Sequence, residues 1–81
     1  MPDKNSVFDT ISKIIAQQLS IDKDNIKLTS NFDDLGMDSV DRIEIIMKLE
    51  ETFNIEIKDE DADSFKNVSD AVEHIAKLVK E

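Results

Sequence analysis

The 81-residue sequence contains no cysteine, and this absence excludes several kinds of chemistry. Neither a disulfide framework, nor a thiol nucleophile, nor a cysteine-based zinc site can be built from these side chains. Any thiol chemistry must therefore come from a group added to the chain. A chain of this length is enough for one small domain with three or four short helices and a modest core, and no deep catalytic cavity is expected.

Positive charge is also scarce. Ten lysine and arginine residues stand against 19 acidic ones, so the formal net charge is -9. This balance argues against nucleic-acid binding, because phosphate contacts need clustered basic side chains, and it favours basic partners. The sequence has no apolar run long enough to span a bilayer and no signal peptide with a basic start and an apolar core, so a cytoplasmic location is expected.

Apolar residues recur at spacings of three and four positions in three stretches, which predicts three main helices. These helices are expected at about residues 5–19, 39–53 and 69–80, with a short extra helix at about 60–64. The sequence shows no repeat and no strand alternation. The predicted fold is all-α, a small up-down bundle in a single domain that spans residues 1–81.

A long connection at about residues 20–38 separates the first two helices, and a loop of this length is unusual in so small a domain unless it has a role. Apolar residues are spaced along it and are expected to anchor it across the helices: Ile21, Ile26, Leu28, Phe32 and Leu35. Gly36, the only glycine in the chain, predicts a turn with positive φ or a close backbone approach. Ser69 is the expected N-cap of the last helix, with Lys77 and Lys80 in its final turn.

The second helix carries a broad apolar arc, which predicts that it packs against more than one neighbour. The arc contains Ile43, Ile45, Ile46, Leu49 and Phe53. On the other side, Asp41, Glu44 and Glu51 form a narrow acidic stripe together with Lys48. Val40 and Met47 lie along one border of that stripe, and such a surface suits a basic, partly apolar partner.

Ser39 stands at the predicted start of this helix, in the segment Gly36-Met37-Asp38-Ser39-Val40. A catalytic nucleophile would need a positioned base, but the only histidine, His74, falls on the polar side of the last helix, and the segment lacks the second glycine of a nucleophile elbow. A simpler alternative is that Asp38 or Ser39 only caps the helix. A helix N-terminus also suits a phosphate group, although the neighbouring carboxylates repel one.

The run from Asp34 to Asp41, Asp-Leu-Gly-Met-Asp-Ser-Val-Asp, resembles the attachment site of type II acyl carrier proteins. The likeness continues through Glu44 and Met47 to Ile57 and extends, more loosely, over both terminal helices. It implies that Ser39 is esterified by 4'-phosphopantetheine from coenzyme A, delivered by a separate magnesium-dependent transferase, the holo-acyl-carrier-protein synthase. The arm's thiol would then carry acyl chains as thioesters in fatty acid biosynthesis. The missing cysteine fits this interpretation.

The resemblance also implies that the protein is a non-catalytic monomer that docks onto basic patches of the transferase, of fatty-acid synthesis enzymes and of acyltransferases. The residues implied in docking are Asp38, Val40, Asp41, Glu44, Met47, Glu50 and Glu51. An acyl chain sheltered inside the bundle would contact Ile46, Ile57, Ala62, Phe65 and Ile75, and Phe65 is a candidate limit on chain length.

Two positions depart from the family pattern. Val40 follows the serine where leucine is most common, so partner packing is expected to be altered while the modification is retained. Lys58 stands where many members have proline, so the loop before the short helix is expected to be less rigid.

Alternative functions remain open from the sequence. The protein could be a specialised carrier of an aminoacyl, polyketide or lipid A-type group, or an acidic Ca²⁺-responsive interaction module. For the latter, Asp59, Asp61, Asp63 and Asp70 have the spacing of EF-hand ligands, but Ser64 replaces the glycine at the sixth position. No specific metal site is therefore predicted, although divalent cations are expected to screen the acidic charge.

Overall fold

The computed structural model describes residues 3–79. Within that range the chain forms four helices: α1 (Lys4–Leu19), α2 (Ser39–Phe53), α3 (Asp59–Ser64) and α4 (Val68–Leu78). Apart from one short 3-10 turn at Lys23–Asn25 and one isolated bridge, the rest of the described chain is irregular. The predicted all-α bundle of three main helices with one short extra helix is confirmed.

Helix α1 begins after Asp3, whose side chain accepts a hydrogen bond from the backbone N–H of Ser6 at 2.8 Å. Its inner face consists of Val7, Ile11 and Ile15, which recur every fourth residue and are fully buried. The helix ends at Leu19, and Ser20 is its C-cap. Ser20 adopts a left-handed conformation, and its N–H donates to the carbonyl of Ala16. Both α2 and α4 pack against α1.

Helix α4 begins at Val68, one residue earlier than expected, because Asn67 and not Ser69 is its N-cap. The Asn67 side chain accepts the N–H of Asp70 at 2.9 Å, and the Asp70 carboxylate accepts the N–H of Asn67 at 3.3 Å. This reciprocal pair is a capping box, which satisfies two backbone donors at once. Lys77 lies in the last turn as expected, whereas Lys80 lies outside the described residues.

The long connection between α1 and α2 is held by backbone hydrogen bonds to the segment around the start of α4. Phe32 N–H donates to the carbonyl of Lys66, Val68 N–H donates to Ser30, and Ser69 N–H donates to Leu28, at 2.9–3.1 Å. Ile26 and Phe32 are buried, as predicted for anchors. Leu28 is 46% exposed, so the expectation that its side chain anchors the loop is wrong, and its carbonyl makes the contact instead.

Helix α2 differs from expectation on one flank. Ile45 and Leu49 are buried and Ile46 and Phe53 are half-buried, but Ile43 is 60% exposed. The predicted apolar arc is therefore too wide, because α3 is only six residues long and leaves this flank of α2 uncovered. No helix within residues 3–79 is long and apolar enough to cross a membrane.

Candidate functional site

The start of α2 is capped by Asp38. Its carboxylate accepts the backbone N–H of Asp41 at 2.8 Å, and the Asp41 carboxylate accepts the N–H of Asp38 at 3.4 Å. Ser39 is the first residue of the helix, and its side chain is exposed to solvent. Of the two residues considered for the cap, Asp38 fills that role, which leaves the Ser39 hydroxyl available at the surface.

The turn that leads into this cap depends on Gly36. Its φ is +87°, a conformation that L-residues with side chains rarely adopt, so the predicted positive φ is confirmed. A Cβ atom added there would meet nothing within 4 Å, which shows that backbone conformation and not space requires the glycine. The Gly36 N–H donates to Asp33, and the following N–H of Met37 donates to the carbonyl of Phe32. The segment that leads into α2 is thus tied to a buried residue of the loop.

The five acidic residues predicted for docking fall into two groups. Asp38, Glu44 and Glu51 are exposed, and Asp41 is half-buried beside α1, where the side chain of Gln18 donates to its carboxylate at 3.2 Å and also to that of Glu44. Glu50 points toward the segment that follows α2. Its carboxylate accepts the backbone N–H of Ile57 at 2.8 Å, a partly buried contact that holds the segment after α2.

An apolar row lies along the same helix. Val40 is 60% exposed, Met47 is 57% exposed, and Ile43 lies between them at 60%. These residues are three and four positions apart, so they share one side of the helix. The exposed row therefore contains Ile43 as well as the two residues expected from the sequence.

A groove of about 410 Å³ opens between α2 and α3, on the side of α2 that carries Ile46 and Glu50. Three of the predicted acyl-pocket residues line it, namely Ile46, Ile57 and Ala62. Beneath it lies an inner apolar pocket of only about 10 Å³, lined by Ile46 again and by Phe65. Ile75 is fully buried in the core and lines neither space.

Arg42 is a part of this region that the sequence reasoning missed. One nitrogen of its guanidinium donates to the carbonyls of Ala62 and Phe65, at 3.1 and 3.2 Å, and the group lies 5.5 Å from the centre of the Phe32 ring. The sequence did contain an indication of this role. A cation near the start of a helix interacts unfavourably with the helix dipole, so its presence there indicates a compensating contact elsewhere in the fold.

The EF-hand alternative is wrong. Asp59, Asp61 and Asp63 lie within α3, where residues two positions apart point in different directions, and a calcium loop is not formed. Within residues 3–79, no three histidine, cysteine or acidic side chains converge where they could hold a metal ion.

The side chain of His74 on α4 contacts α3 and the residue that follows it. It is half-buried against the ring of Phe65, with ring centres 5.4 Å apart, and its Nε2 lies 3.7 Å from the Asp61 carboxylate. It therefore connects α4 with α3.

Comparison with known proteins shows the family to which this chain belongs. Residues 9–75 match the family model described as a phosphopantetheine attachment site. The chain belongs to the acyl carrier protein family. It is 50% identical over 74 residues to the acyl carrier protein of Phytoplasma mali, covering 90% of this chain and 88% of that protein. It is 53% identical over 70 residues to that of Clostridium perfringens, covering 85% and 92%.

A solved structure supports the same assignment. The acyl carrier protein from Enterococcus faecalis superposes with a TM-score of 0.79 at 34% identity, over 94% of this chain and 98% of that one. The protein is thus a carrier of acyl groups whose cofactor is 4'-phosphopantetheine, and fatty acid synthesis is the usual setting of the family. Membership suggests a non-catalytic carrier, and such carriers work with synthase and fatty-acid enzymes in general. The exposed hydroxyl at the start of α2 is chemically suited to bond to the phosphate of that cofactor.

Proposed function

We propose that Ser39 carries the 4'-phosphopantetheine arm and that the protein presents acyl intermediates of fatty acid biosynthesis as thioesters on the arm's thiol. The observation that supports this most directly is the exposed Ser39 side chain on the first residue of α2, beside a cap that Asp38 already provides. The residue lies within the segment matched by the attachment-site family.

The chemistry of attachment is a phosphoryl transfer in which this chain is the substrate. The Ser39 oxygen bonds to the phosphorus that bears the pantetheine arm, the bond from that phosphorus to the nucleotide part of coenzyme A breaks, and the hydroxyl proton leaves. Activation of a serine hydroxyl requires a positioned base. In this proposal the holo-acyl-carrier-protein synthase supplies both the base and the magnesium ion, and the carrier supplies a fixed, accessible hydroxyl.

Recognition is proposed to use the exposed surface of α2. The acidic residues Asp38, Asp41, Glu44 and Glu51 would attract basic patches on the transferase, on fatty-acid synthesis enzymes and on acyltransferases. Val40 and Met47 would supply the apolar part of the contact, and the exposure of Ile43 supports its inclusion. The contact of Glu50 with the backbone of Ile57 supports a structural role for this residue next to its proposed docking role.

The cargo is proposed to shelter in the groove between α2 and α3, against Ile46, Ile57 and Ala62. Phe65 lies deeper, at the inner pocket, which suits a residue that limits chain length. Ile75 would contribute only as part of the core behind it. The carrier is proposed to work as a monomer in the cytoplasm, where coenzyme A is available.

Intact-mass spectrometry tests the assignment. After incubation with coenzyme A and a phosphopantetheinyl transferase, the protein should gain the mass of one phosphopantetheine, and Ser39→Ala should gain none. Ser64→Ala is the matched control, because Ser64 is also exposed and lies at a helix end. Modification of Ser39→Ala would refute the assignment. Loading assays with acyl, aminoacyl and polyketide donors would then distinguish a fatty-acid carrier from a specialised one.

A further inference from the structure

Arg42 lies on α2 at the boundary between the open groove and the inner apolar pocket. It lines both spaces, together with Ile46, which is one helical turn further along α2. The groove measures about 410 Å³ and the inner pocket about 10 Å³, so the two spaces differ widely in the chain they can accept. A side chain at this boundary is placed to control whether the interior can be used.

The guanidinium is held at this boundary by contacts from two other parts of the chain. It donates to the carbonyls of Ala62 and Phe65 at the C-terminal end of α3, where the helix dipole favours a cation. The carbonyl of Ala62 also accepts the backbone N–H of Phe65 at 3.2 Å, so Arg42 is its second donor. The other neighbour of the guanidinium is the face of Phe32, a buried residue of the long connection. Arg42 thus joins α2 to the end of α3 and to the loop.

These contacts are of a kind that can be exchanged. The two carbonyls are neutral acceptors, while Asp59 and Asp63 line the same groove and are exposed. A guanidinium that turns outward would exchange its two carbonyl acceptors for carboxylates, so its hydrogen bonds would be replaced and not simply lost. Because these carboxylates are exposed, the exchange should change the free energy little. Outward rotation would also remove a polar group from the path to an inner pocket whose lining is mostly apolar.

We propose that Arg42 is a gate that determines how far an acyl chain enters the bundle, and that in its present position it confines the cargo to the outer groove. This rests on the proposed carrier function. Short chains would be sheltered in the groove with Arg42 in place, and longer chains would have to displace it to gain further burial.

The test compares chain-length dependence in matched variants loaded with butyryl, octanoyl and dodecanoyl phosphopantetheine. The readout is the rate at which hydroxylamine cleaves the thioester, measured relative to the butyryl form of the same variant. In the wild type, protection should level off once the groove is filled. In Arg42→Ala it should continue to rise with length, by up to about fourfold for each further methylene that becomes buried, the value that corresponds to burial of one CH₂.

Arg42→Lys is the matched control, because lysine keeps a long cationic side chain that can donate to the same carbonyls, whereas alanine cannot. Loss of the α3 anchor in Arg42→Ala is measured separately by urea denaturation, and a merely structural role would lower stability without changing the length limit. The gate predicts that Arg42→Lys retains a wild-type length limit while Arg42→Ala loses it. Identical length dependence in the wild type and Arg42→Ala, or a lost limit in both variants, would overturn the proposal.

Two further outcomes are distinguishable. If Arg42→Ala does not fold, Arg42→Val keeps a small apolar side chain on α2 but removes the guanidinium from the boundary, and an unchanged length limit there would likewise overturn the gate. If no variant and no wild-type protein accepts the arm, the proposed carrier function at Ser39 fails instead, as the mass measurement shows before any thioester is tested.

Discussion

Asp38 and Asp41 cap each other across the first turn of α2, each accepting the backbone N–H of the other. Asparagine is as good an N-cap as aspartate, so Asp38→Asn should keep the stability of the protein, whereas Asp38→Ala should lower the free energy of unfolding by about 1 kcal/mol. Both changes remove a charge next to Ser39. Urea denaturation gives the stabilities, and transferase kinetics give the rate of modification.

The same pair of variants separates capping from docking. If the Asp38 charge takes part in recognition, Asp38→Asn should be modified more slowly than the wild type despite its intact fold. Wild-type modification of Asp38→Asn would assign the residue to the cap alone.

Glu50 and Glu51 are neighbours with opposite expected responses to alanine. Glu50→Ala leaves the partly buried N–H of Ile57 without its acceptor and should cost about 1–3 kcal/mol of stability. Glu51 is exposed, so Glu51→Ala should stay within about 0.5 kcal/mol of the wild type. The two variants have the same net charge, and the comparison by urea denaturation is therefore free of charge differences. Equal stabilities would contradict the role of Glu50 at Ile57.

Alanine variants of Asn67 and Ser69 test which of the two residues caps α4. Asn67→Ala removes the acceptor for the Asp70 N–H and should lower the free energy of unfolding by about 1 kcal/mol. Ser69→Ala should have a smaller effect, because Ser69 lies one residue inside the helix. Thermal or urea unfolding of the two variants decides the matter, and a larger loss for Ser69→Ala would restore the cap expected from the sequence.

Asp9 is the group for which a pH effect is expected. Its hydrogen bond to Lys23, and then that to Lys13, lower the pKa of its carboxyl below the ordinary 3.8. A lowered pKa in the folded state stabilises the fold above the ordinary value, and this contribution is lost as the pH falls through the lowered pKa. The pKa of Lys23 is raised above 10.5 mainly by the same bond, so its contribution is lost only as the pH rises through that raised value.

An NMR titration of the Asp9 carboxyl measures this shift. Lys23→Gln should bring the pKa of Asp9 back toward its ordinary value, while Lys27→Gln, which removes a charge from the same loop, should leave it unchanged. Both partners are substantially exposed, so the effect on stability should be small. An Asp9 titration that does not respond to Lys23→Gln would contradict the pairing.

Much of the fold could be predicted because helix periodicity is a local property. Val7, Ile11 and Ile15 mark the buried face of α1, and the positive φ at Gly36 follows from the residue type. The exposure of Ile43 could not be predicted in this way, because periodicity indicates which side of a helix is apolar but not whether a neighbour covers it. Here the short α3 leaves that side open.

The candidate site likewise combines residues that the sequence identifies with contacts that it does not predict. Ser39 and its acidic neighbours lie in one contiguous segment, so the sequence was enough to single them out. Arg42 acquires its contacts from Ala62 and Phe65, 20 and 23 residues away, and no local pattern encodes that meeting. The cap at Asn67 was missed because Asn67 and Ser69 are both good cap residues, and tertiary pairing with the loop decides between them.

The cap at Asp38 also makes this chain a convenient scaffold for stable conjugates. Because the hydroxyl of Ser39 is not needed to begin α2, Ser39→Cys should fold normally, and the sequence has no other cysteine to compete. Alkylation of that single thiol would attach a pantetheine mimic through a thioether, a bond that esterases and phosphodiesterases do not cleave. Complexes of the carrier with its enzymes could then be captured with a permanently fixed cargo.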